Sequence, residues 1–170
     1  MRIYIVGSVA SGKTTLAKKL SKILGIKCIH LDGIVHIKDK TNKEWGSIRR
    51  TDEEINLLFK SIIMKPHWVI EDAGRKMFSE GMEAADIIIH LKPNIFVRRM
   101  RVMNRFVKQK LGMEDCLYTP SIHMLKFMFK ALSNYETGKD DLEARLNQFI
   151  NKVVILSSNR EIKDFIENII

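Results

Sequence analysis

Short, continuously apolar runs punctuate the chain and predict its strands. Each run is rich in β-branched and aliphatic residues and stops at a glycine or a polar residue, which is typical of buried strands. The runs cover residues 3–6, 28–31, 68–70, 87–91 and 153–156. Because they do not alternate with polar positions, we expect a parallel sheet that is covered on both faces.

The segments between these runs carry apolar residues at helical spacing. Helices are predicted at 13–24, 77–84, 122–132, 142–150 and 161–169, with another after a capping box at 51–54 and a long basic helix that Asn94 caps. Residues 33–50 are polar and predict an irregular segment. Strands that alternate with helices predict an α/β fold with a doubly wound sheet, and no linker or repeat divides the 170 residues. We therefore expect one domain over 1–170.

The charge of the chain is concentrated in one segment. The protein has 29 Lys and Arg residues, 20 Asp and Glu residues and a formal charge of +9. Nine basic and two acidic residues lie between Lys92 and Lys130, a net +7. Such a field attracts nucleotides, nucleic acids or phosphorylated metabolites, although a solvated helical face would have the same composition.

The number of cysteines and the length of the apolar runs indicate the cellular compartment of the protein. Cys28 and Cys116 cannot form a disulfide framework, and no apolar run approaches the roughly 20 residues that a membrane helix needs. These features predict a soluble, cytoplasmic protein that does not enter a membrane.

The segment that follows the first run has the strongest chemical signal. Gly7-Ser8-Val9-Ala10-Ser11-Gly12-Lys13-Thr14 matches G-x-x-x-x-G-K-[ST], and it leaves a predicted strand and enters a predicted helix. In such a loop, backbone N–H groups surround phosphate oxygens, Lys13 neutralises the β- and γ-phosphates, and Thr14 is placed to ligate Mg²⁺. The loop and the adjacent Thr15 therefore predict a site for ATP and Mg²⁺.

Acidic residues follow the second and third predicted strands, where ligands bind in open parallel sheets. Asp32 is the candidate for positioning a phosphoryl acceptor, and Glu71 is the candidate for the magnesium shell. Arg75 is placed to reach the transferred phosphoryl group or a phosphate of the acceptor, and His36 lies in the loop beyond Asp32. Acids also end strands simply as turn formers, so position alone leaves both interpretations open.

Taken in order, these motifs resemble the adenylate-kinase-like P-loop kinases known as DNA topology modulation (FlaR-related) proteins. The similarity extends over nearly the whole chain. It rests on the phosphate loop, His30-Leu31-Asp32, Trp68-Val69-Ile70-Glu71, Ala85-Asp86-Ile87-Ile88-Ile89, an arginine-rich helix and a helix with Lys126-Phe127. The chain departs from the family pattern where Glu71-Asp72-Ala73-Gly74 replaces Asp-Gly-Asn-Tyr and where His36 replaces a tryptophan.

The resemblance implies a nucleoside monophosphate kinase fold, with five parallel strands in the order 2-3-1-4-5. It implies that 92–120 forms a basic helical lid over ATP, in which Arg101 and Arg105 contact phosphates as catalytic groups beside Lys13 and Asp32. It also implies that Asn159 and Arg160 pass beside the adenine ring.

Three functions are compatible with these features. The favoured one is transfer of the γ-phosphoryl group of ATP to a small-molecule acceptor, for which the substrate-binding candidates are Asp32, His36, Glu71 and Arg75. A nucleotide-switched nucleic-acid-binding protein is less favoured, because the sequence has no helix-turn-helix, zinc finger or aromatic strand for stacking bases. An NTPase without an acceptor is the third. The acceptor's identity, and whether the protein is a monomer or a dimer, stay open.

Overall fold

The computed structural model describes residues 1–39, 41–42, 46–115 and 118–169. Its strands are β1 (Arg2–Gly7), β2 (Cys28–His30), β3 (His36–Lys38), β4 (Ser47–Arg49), β5 (Trp68–Asp72), β6 (Ile87–Leu91) and β7 (Val153–Leu156). Its helices are α1 (Lys13–Leu24), α2 (Leu31–Val35), α3 (Asp52–Ile63), α4 (Ser79–Ala84), α5 (Ile95–Lys110), α6 (Ile122–Glu136), α7 (Leu142–Leu146) and α8 (Asn159–Ile169), with 3₁₀ turns at Lys76–Phe78 and Asn147–Lys152.

Five strands form one parallel sheet in the order β2-β5-β1-β6-β7. Numbered within that sheet alone, the order is 2-3-1-4-5, so the predicted α/β fold and topology are confirmed. β1 lies at the centre and pairs with β5 and β6, with Val6 opposite Asp72 on one side and His90 on the other. The carboxyl ends of β1, β2 and β5 therefore meet at one edge of the sheet.

Successive side chains of β1 supply two separate cores, as the period of a strand requires. Tyr4 and Val6 belong to a core with residues of α2, α3, α4 and α7. Ile3 and Ile5 belong to a core with residues of α1 and α8. Helices thus cover both faces, which explains why the strand runs are continuously apolar.

The prediction for residues 33–50 was wrong. Leu31, expected to end the second strand, begins α2, and β3 and β4 form a separate antiparallel pair in which His36 lies opposite Arg49. Each of these strands has three residues with one isoleucine at its centre, which is too short for an alternating pattern to be recognised.

The other helix boundaries differ by a few residues from those predicted. α6 continues to Glu136 instead of ending at 132, the segment predicted as a helix at 142–150 divides into α7 and a 3₁₀ turn, and α8 begins at Asn159. The predicted capping box is confirmed: Thr51 accepts from the backbone N–H of Glu54, whose carboxylate accepts from that of Thr51. None of the helices in the described ranges is long and apolar enough to cross a membrane.

His90 places a titratable group inside this fold. Its side chain is 2% exposed, and Nε2 lies 2.6 Å from the hydroxyl oxygen of Tyr135 on α6. Burial lowers the pKa of His90 to about 4, and the positive charges of Lys92 and Arg98 act in the same direction. The imidazole is therefore neutral in the folded protein at pH 7.

This burial predicts a loss of stability in mild acid. Between pH 6.5 and 4 the unfolded chain binds a proton at His90 that the folded chain does not, so stability is complete above that window and falls as pH decreases through it. At about 1.4 kcal/mol per pH unit, the loss from pH 7 to pH 5 is about 2 kcal/mol. Urea unfolding at pH 7, 6 and 5 measures it, and His90→Gln should show a smaller decrease. Equal decreases in both proteins would contradict this assignment.

Candidate active site

The loop between β1 and α1 takes its shape from two glycines. Gly7 has a φ of 152°, and a Cβ placed on it would overlap the carbonyl oxygen of Leu91 at the end of β6. Gly12 has a φ of 103° and precedes the first turn of α1. A side chain at either position would strain the backbone, and the close approach of the loop to β6 requires glycine at position 7.

Lys13 lies over this loop. Its Nζ donates to the carbonyl oxygens of Gly7, at 2.9 Å, and Ser8, at 2.7 Å. Burial lowers the pKa of Lys13, whereas Glu71, Asp72 and Asp32 act to raise it. Among the described residues, the buried Oγ of Ser11 has no hydrogen-bond partner. A buried ammonium group and a buried unpaired hydroxyl fit a loop that binds a polyphosphate.

Oxygen atoms suited to magnesium meet at the start of α1. The Thr14 hydroxyl donates to Oε1 of Glu71 at 3.2 Å, and the same oxygen lies 2.9 Å from Nδ1 of His30. Hydrogen bonds to the Cys28 sulfur and to Glu71 raise the pKa of His30 to about 10. Hydroxyl and carboxylate oxygens are ligands that Mg²⁺ accepts, so Thr14 and Glu71 fit it chemically. The described residues contain no cluster of three metal-ligating His, Cys, Asp or Glu side chains, so phosphate and water oxygens would complete the shell.

On the other side of the loop, Arg75 joins two carboxylates. Its Nη1 lies 2.5 Å from Oδ1 of Asp72, and its Nη2 donates to Oδ1 of Asp32. Asp72 is buried and also accepts from the backbone N–H groups of Gly74, at 2.7 Å, and Arg75, at 2.6 Å. Asp72 therefore anchors the turn after β5, and Arg75 extends from that anchor to Asp32.

Asp32 remains accessible although Arg75 holds it. Its side chain is 60% exposed. Desolvation acts to raise the pKa of Asp32, but the charge and hydrogen bond of Arg75, together with Lys13, lower it below its usual value. The nearby His36 begins β3, and desolvation and the charge of Arg75 lower its pKa. At neutral pH the site thus presents an ionised carboxylate beside a neutral imidazole.

A cleft of about 640 Å³ lies next to the phosphate loop, between α1, α5 and α8. Arg101 and Arg105 of α5 line it: Nη1 of Arg101 donates to the carbonyl oxygen of Ser11 at 3.1 Å, and Nε of Arg105 lies 3.3 Å from Oε1 of Glu114. Other polar residues of the wall are Thr15, Lys19, Asn104, Lys108, Asn159 and Lys163. The cleft is cationic and adjoins the loop, so a nucleotide could extend from one into the other.

The two residues predicted to lie beside the adenine ring differ from each other in their surroundings. Asn159 lines the cleft, whereas the side chain of Arg160 is 92% exposed and lies 4.0 Å from Asp164. Neighbouring residues of a helix point about 100° apart, so α8 directs only one of the pair into the cleft. Val9 and Ala10 pack against a small cluster of α5 and α6 residues, and Ala10 also lines the cleft.

Arg98 is a site residue that the sequence did not reveal. Its side chain is 2% exposed, its Nη1 donates to Oγ of Ser8 at 2.7 Å, and its Nε donates to the carbonyl oxygen of Pro93 at 2.7 Å. Nη2 forms an ion pair with Glu136, and the guanidinium carbon lies 4.9 Å from the ring centre of Tyr135. Arg98 thus connects the phosphate loop to α6. The available signal was its spacing of four from the buried Val102, which places both on one helix face.

Comparison with known proteins identifies the fold of this arrangement. No protein-family model and no curated protein sequence matches the chain. A gluconokinase from Sinorhizobium meliloti 1021 is 15% identical with a TM-score of 0.54, and the matched region covers 99% of this chain and 94% of the gluconokinase chain. Shikimate kinase from Acinetobacter baumannii in complex with shikimate is 15% identical with a TM-score of 0.55, at 99% and 89% coverage. Deoxyadenosine kinase from M. mycoides with bound dATP is 13% identical with a TM-score of 0.55, at 99% of both chains.

The chain has the fold of P-loop kinases. At these identities the likeness concerns the fold alone, and the finer resemblance to topology modulation proteins gains no support from it. Within the P-loop kinase fold, the loop, Asp32, Glu71 and Arg75 all lie at the carboxyl edge of the sheet, the end where ligands bind in such sheets.

The position of Arg98 predicts different effects for two neighbouring arginines. Arg98→Gln should lower the free energy of unfolding by about 3 kcal/mol, because it leaves the buried polar groups around it without their partner. It should also weaken the binding of an ATP analogue, since Ser8 loses its contact with α5. Arg99→Gln is the matched control: it makes the same change at an exposed site on the same helix. Thermal unfolding and calorimetric titration test both variants, and equal effects would show that Arg98 does not position the loop.

Proposed function

We propose that this protein is a phosphotransferase that moves the γ-phosphoryl group of ATP to a small-molecule acceptor. The observation that carries the proposal is that the phosphate loop, the Thr14–Glu71 contact and the exposed carboxylate of Asp32, held by Arg75, all lie at the carboxyl edge of the sheet. Lys13 belongs to the phosphate loop, and Asp32 is an accessible carboxylate outside it. A site that only hydrolysed or sensed nucleotides would not require an accessible carboxylate held by Arg75 outside the loop.

Each part of the site has a role in this reaction. The N–H groups of the loop and Nζ of Lys13 bind the phosphates, and Arg101 and Arg105 approach them from α5. When bound at Thr14 and Glu71, Mg²⁺ supplies positive charge to the phosphate oxygens. Asp32 binds and orients the acceptor, and Asn159 borders the end of the cleft where the base would lie.

We propose that 92–120 acts as the lid of this site. The lid contains α5, and its residues 116 and 117 lie outside the described part of the chain. The segment after α5 reaches the acceptor side, because a Cβ on Gly46 beside β4 would lie 3.0 Å from the backbone nitrogen of Thr119. A lid in contact with both sides of the site would exclude water, so that transfer to the acceptor is faster than hydrolysis.

Finer features of the proposal rest on the sequence. Similarity to the DNA topology modulation proteins depends on the ordered series of motifs from the phosphate loop to the helix with Lys126-Phe127. A single kinase domain over 1–170 and a cytoplasmic location remain predictions from composition and pattern.

Replacement of Lys13 tests the function directly. ATP·Mg²⁺ at about 100 times its Kd should stabilise the wild-type protein by about 2.7 kcal/mol, since a ligand that binds only the folded state adds its binding energy. Lys13→Ala should lose this stabilisation, measured as the shift in thermal unfolding. Lys18→Ala, which removes an exposed lysine of the same helix, should keep it. An undiminished shift in Lys13→Ala would contradict the assignment of the loop.

A second candidate function is supported by the outer surface of α5. Arg99 and Lys110 are exposed there, and the helix contains no acidic residue. Such a surface could bind a nucleic-acid backbone, in which case affinity would fall steeply with salt. If the protein is a small-molecule kinase, we expect a gel-shift series to show no binding of duplex DNA above about 150 mM salt. At that salt concentration, a few nonspecific contacts between basic side chains and DNA phosphates are too weak to hold the complex. A shift that persists there would favour the nucleic-acid-binding function.

A further inference from the structure

We infer that the acceptor presents a hydroxyl group, and not a phosphate, to the transferred phosphoryl group. This inference rests on the proposed function and narrows its substrate class. Arg75 is the basic side chain bonded to Asp32, so its availability decides which chemistry the acceptor side can bind. Arg75 pairs with both Asp32 and Asp72, and we call these three residues the carboxylate–arginine trio.

Arg75 is already neutralised within the trio. Nη1 is directed to Asp72 and Nη2 to Asp32, so the two ends of the guanidinium fork that would grip a phosphate each hold a carboxylate. The trio has two negative charges and one positive charge. A phosphate monoester carries between one and two negative charges at pH 7, so it would be repelled where an unpaired arginine would attract it.

Basic side chains near the trio are engaged as well. Nη1 of Arg50 donates to the carbonyl oxygens of Gly33, at 2.9 Å, and Ile34, at 2.7 Å. Burial and the charge of Arg75 lower the pKa of His36, which leaves that imidazole neutral at pH 7. Neutral oxygens of α2 thus hold Nη1 of Arg50, and the guanidinium that pairs with carboxylates is that of Arg75.

A second group of ion pairs lies next to the trio. Asp141 pairs with both Lys76, at 2.5 Å, and Nε of Arg145, at 2.8 Å, and Nη2 of Arg145 donates to the carbonyl oxygen of Gly74 at 2.5 Å. Asp141 thus neutralises part of the positive charge next to the trio, and Nη1 of Arg145 is buried without a hydrogen-bond partner among the described residues. On the nucleotide side, Arg101 contacts backbone carbonyls of the loop and no carboxylate among its described contacts, whereas Arg75 contacts two carboxylates.

The geometry of Asp32 suits a hydroxyl acceptor. Arg75 holds Oδ1, which fixes the carboxylate while the side chain stays 60% exposed. In the transfer step the acceptor oxygen forms a bond to the γ-phosphorus, and the bond from that phosphorus to the β,γ-bridging oxygen breaks. The electron pair of the broken bond remains on ADP, and the hydroxyl proton passes to the Asp32 carboxylate, which later releases it to water. Arg75 is a positioning residue here, because it acts through Asp32.

Release of Arg75 provides a test that does not need the natural acceptor. The protein is first saturated with Mg²⁺ and the non-hydrolysable analogue AMP-PNP, and AMP is then titrated by calorimetry as a probe with a phosphate acceptor group. Asp32→Asn frees Nη2 of Arg75 and should strengthen AMP binding at least about fivefold over the wild type. Asp86→Asn is the matched control, because Asp86 pairs with Arg2 at the opposite edge of the sheet. Wild-type protein that binds AMP as tightly as Asp32→Asn, with a submillimolar Kd, would overturn the inference.

The product of transfer gives the second test. Phosphorus NMR distinguishes a phosphate ester, formed from the hydroxyl of a polyol, sugar acid or nucleoside, from the diphosphate formed from a nucleoside monophosphate. A phosphate ester supports the inference, and conversion of a monophosphate to a diphosphate overturns it. Failure of AMP-PNP to bind would refute the proposed function itself, so the two failures are distinguishable.

Discussion

The close approach of Gly7 to the end of β6 is the constraint on which the site depends. The absence of a side chain lets β1 end against the carbonyl of Leu91, and the chain then turns back into α1. The loop thereby leads directly into the N-terminal turn of α1, where Lys13 adds positive charge to that of the helix end. Arg98 supports the outer side of this loop through Ser8, so the loop is held between the sheet and α6.

Charges at the carboxyl edge are divided into separate groups around the loop. Glu71 lies with Thr14 and the protonated His30, which places an anionic oxygen next to the start of α1. Asp32 and Asp72 share Arg75, which keeps Asp32 ionised and fixed. The division separates a position suited to a metal ion, at Glu71 in β5, from a position suited to a hydroxyl group, at Asp32 after the adjacent β2.

Helix α5 places arginines in three different surroundings. Arg101 and Arg105 face the cleft, Arg98 is buried under the loop, and Arg99 is exposed to solvent. The segment that looked like one basic field therefore contains one wall of the cleft, a buried ion pair and a solvated face. The 3.6-residue period of the helix makes this division, because it distributes consecutive arginines around the axis.

The sequence alone determined the strands, the phosphate loop and the edge of the sheet where the acids collect, whereas the strand order was implied by the family resemblance. Those features depend on local signals: apolar runs, the spacing of glycines around Lys13, and the rule that parallel strands end at one edge. Pairings between distant residues were decided only by the tertiary structure. Arg75 between Asp32 and Asp72, Arg98 beneath Ser8, and the short hairpin of β3 and β4 each join segments whose separate patterns are indistinguishable from those of exposed surface. Burial and pairing of a charged side chain follow from which neighbours the fold brings to it, and the type of residue does not encode those neighbours.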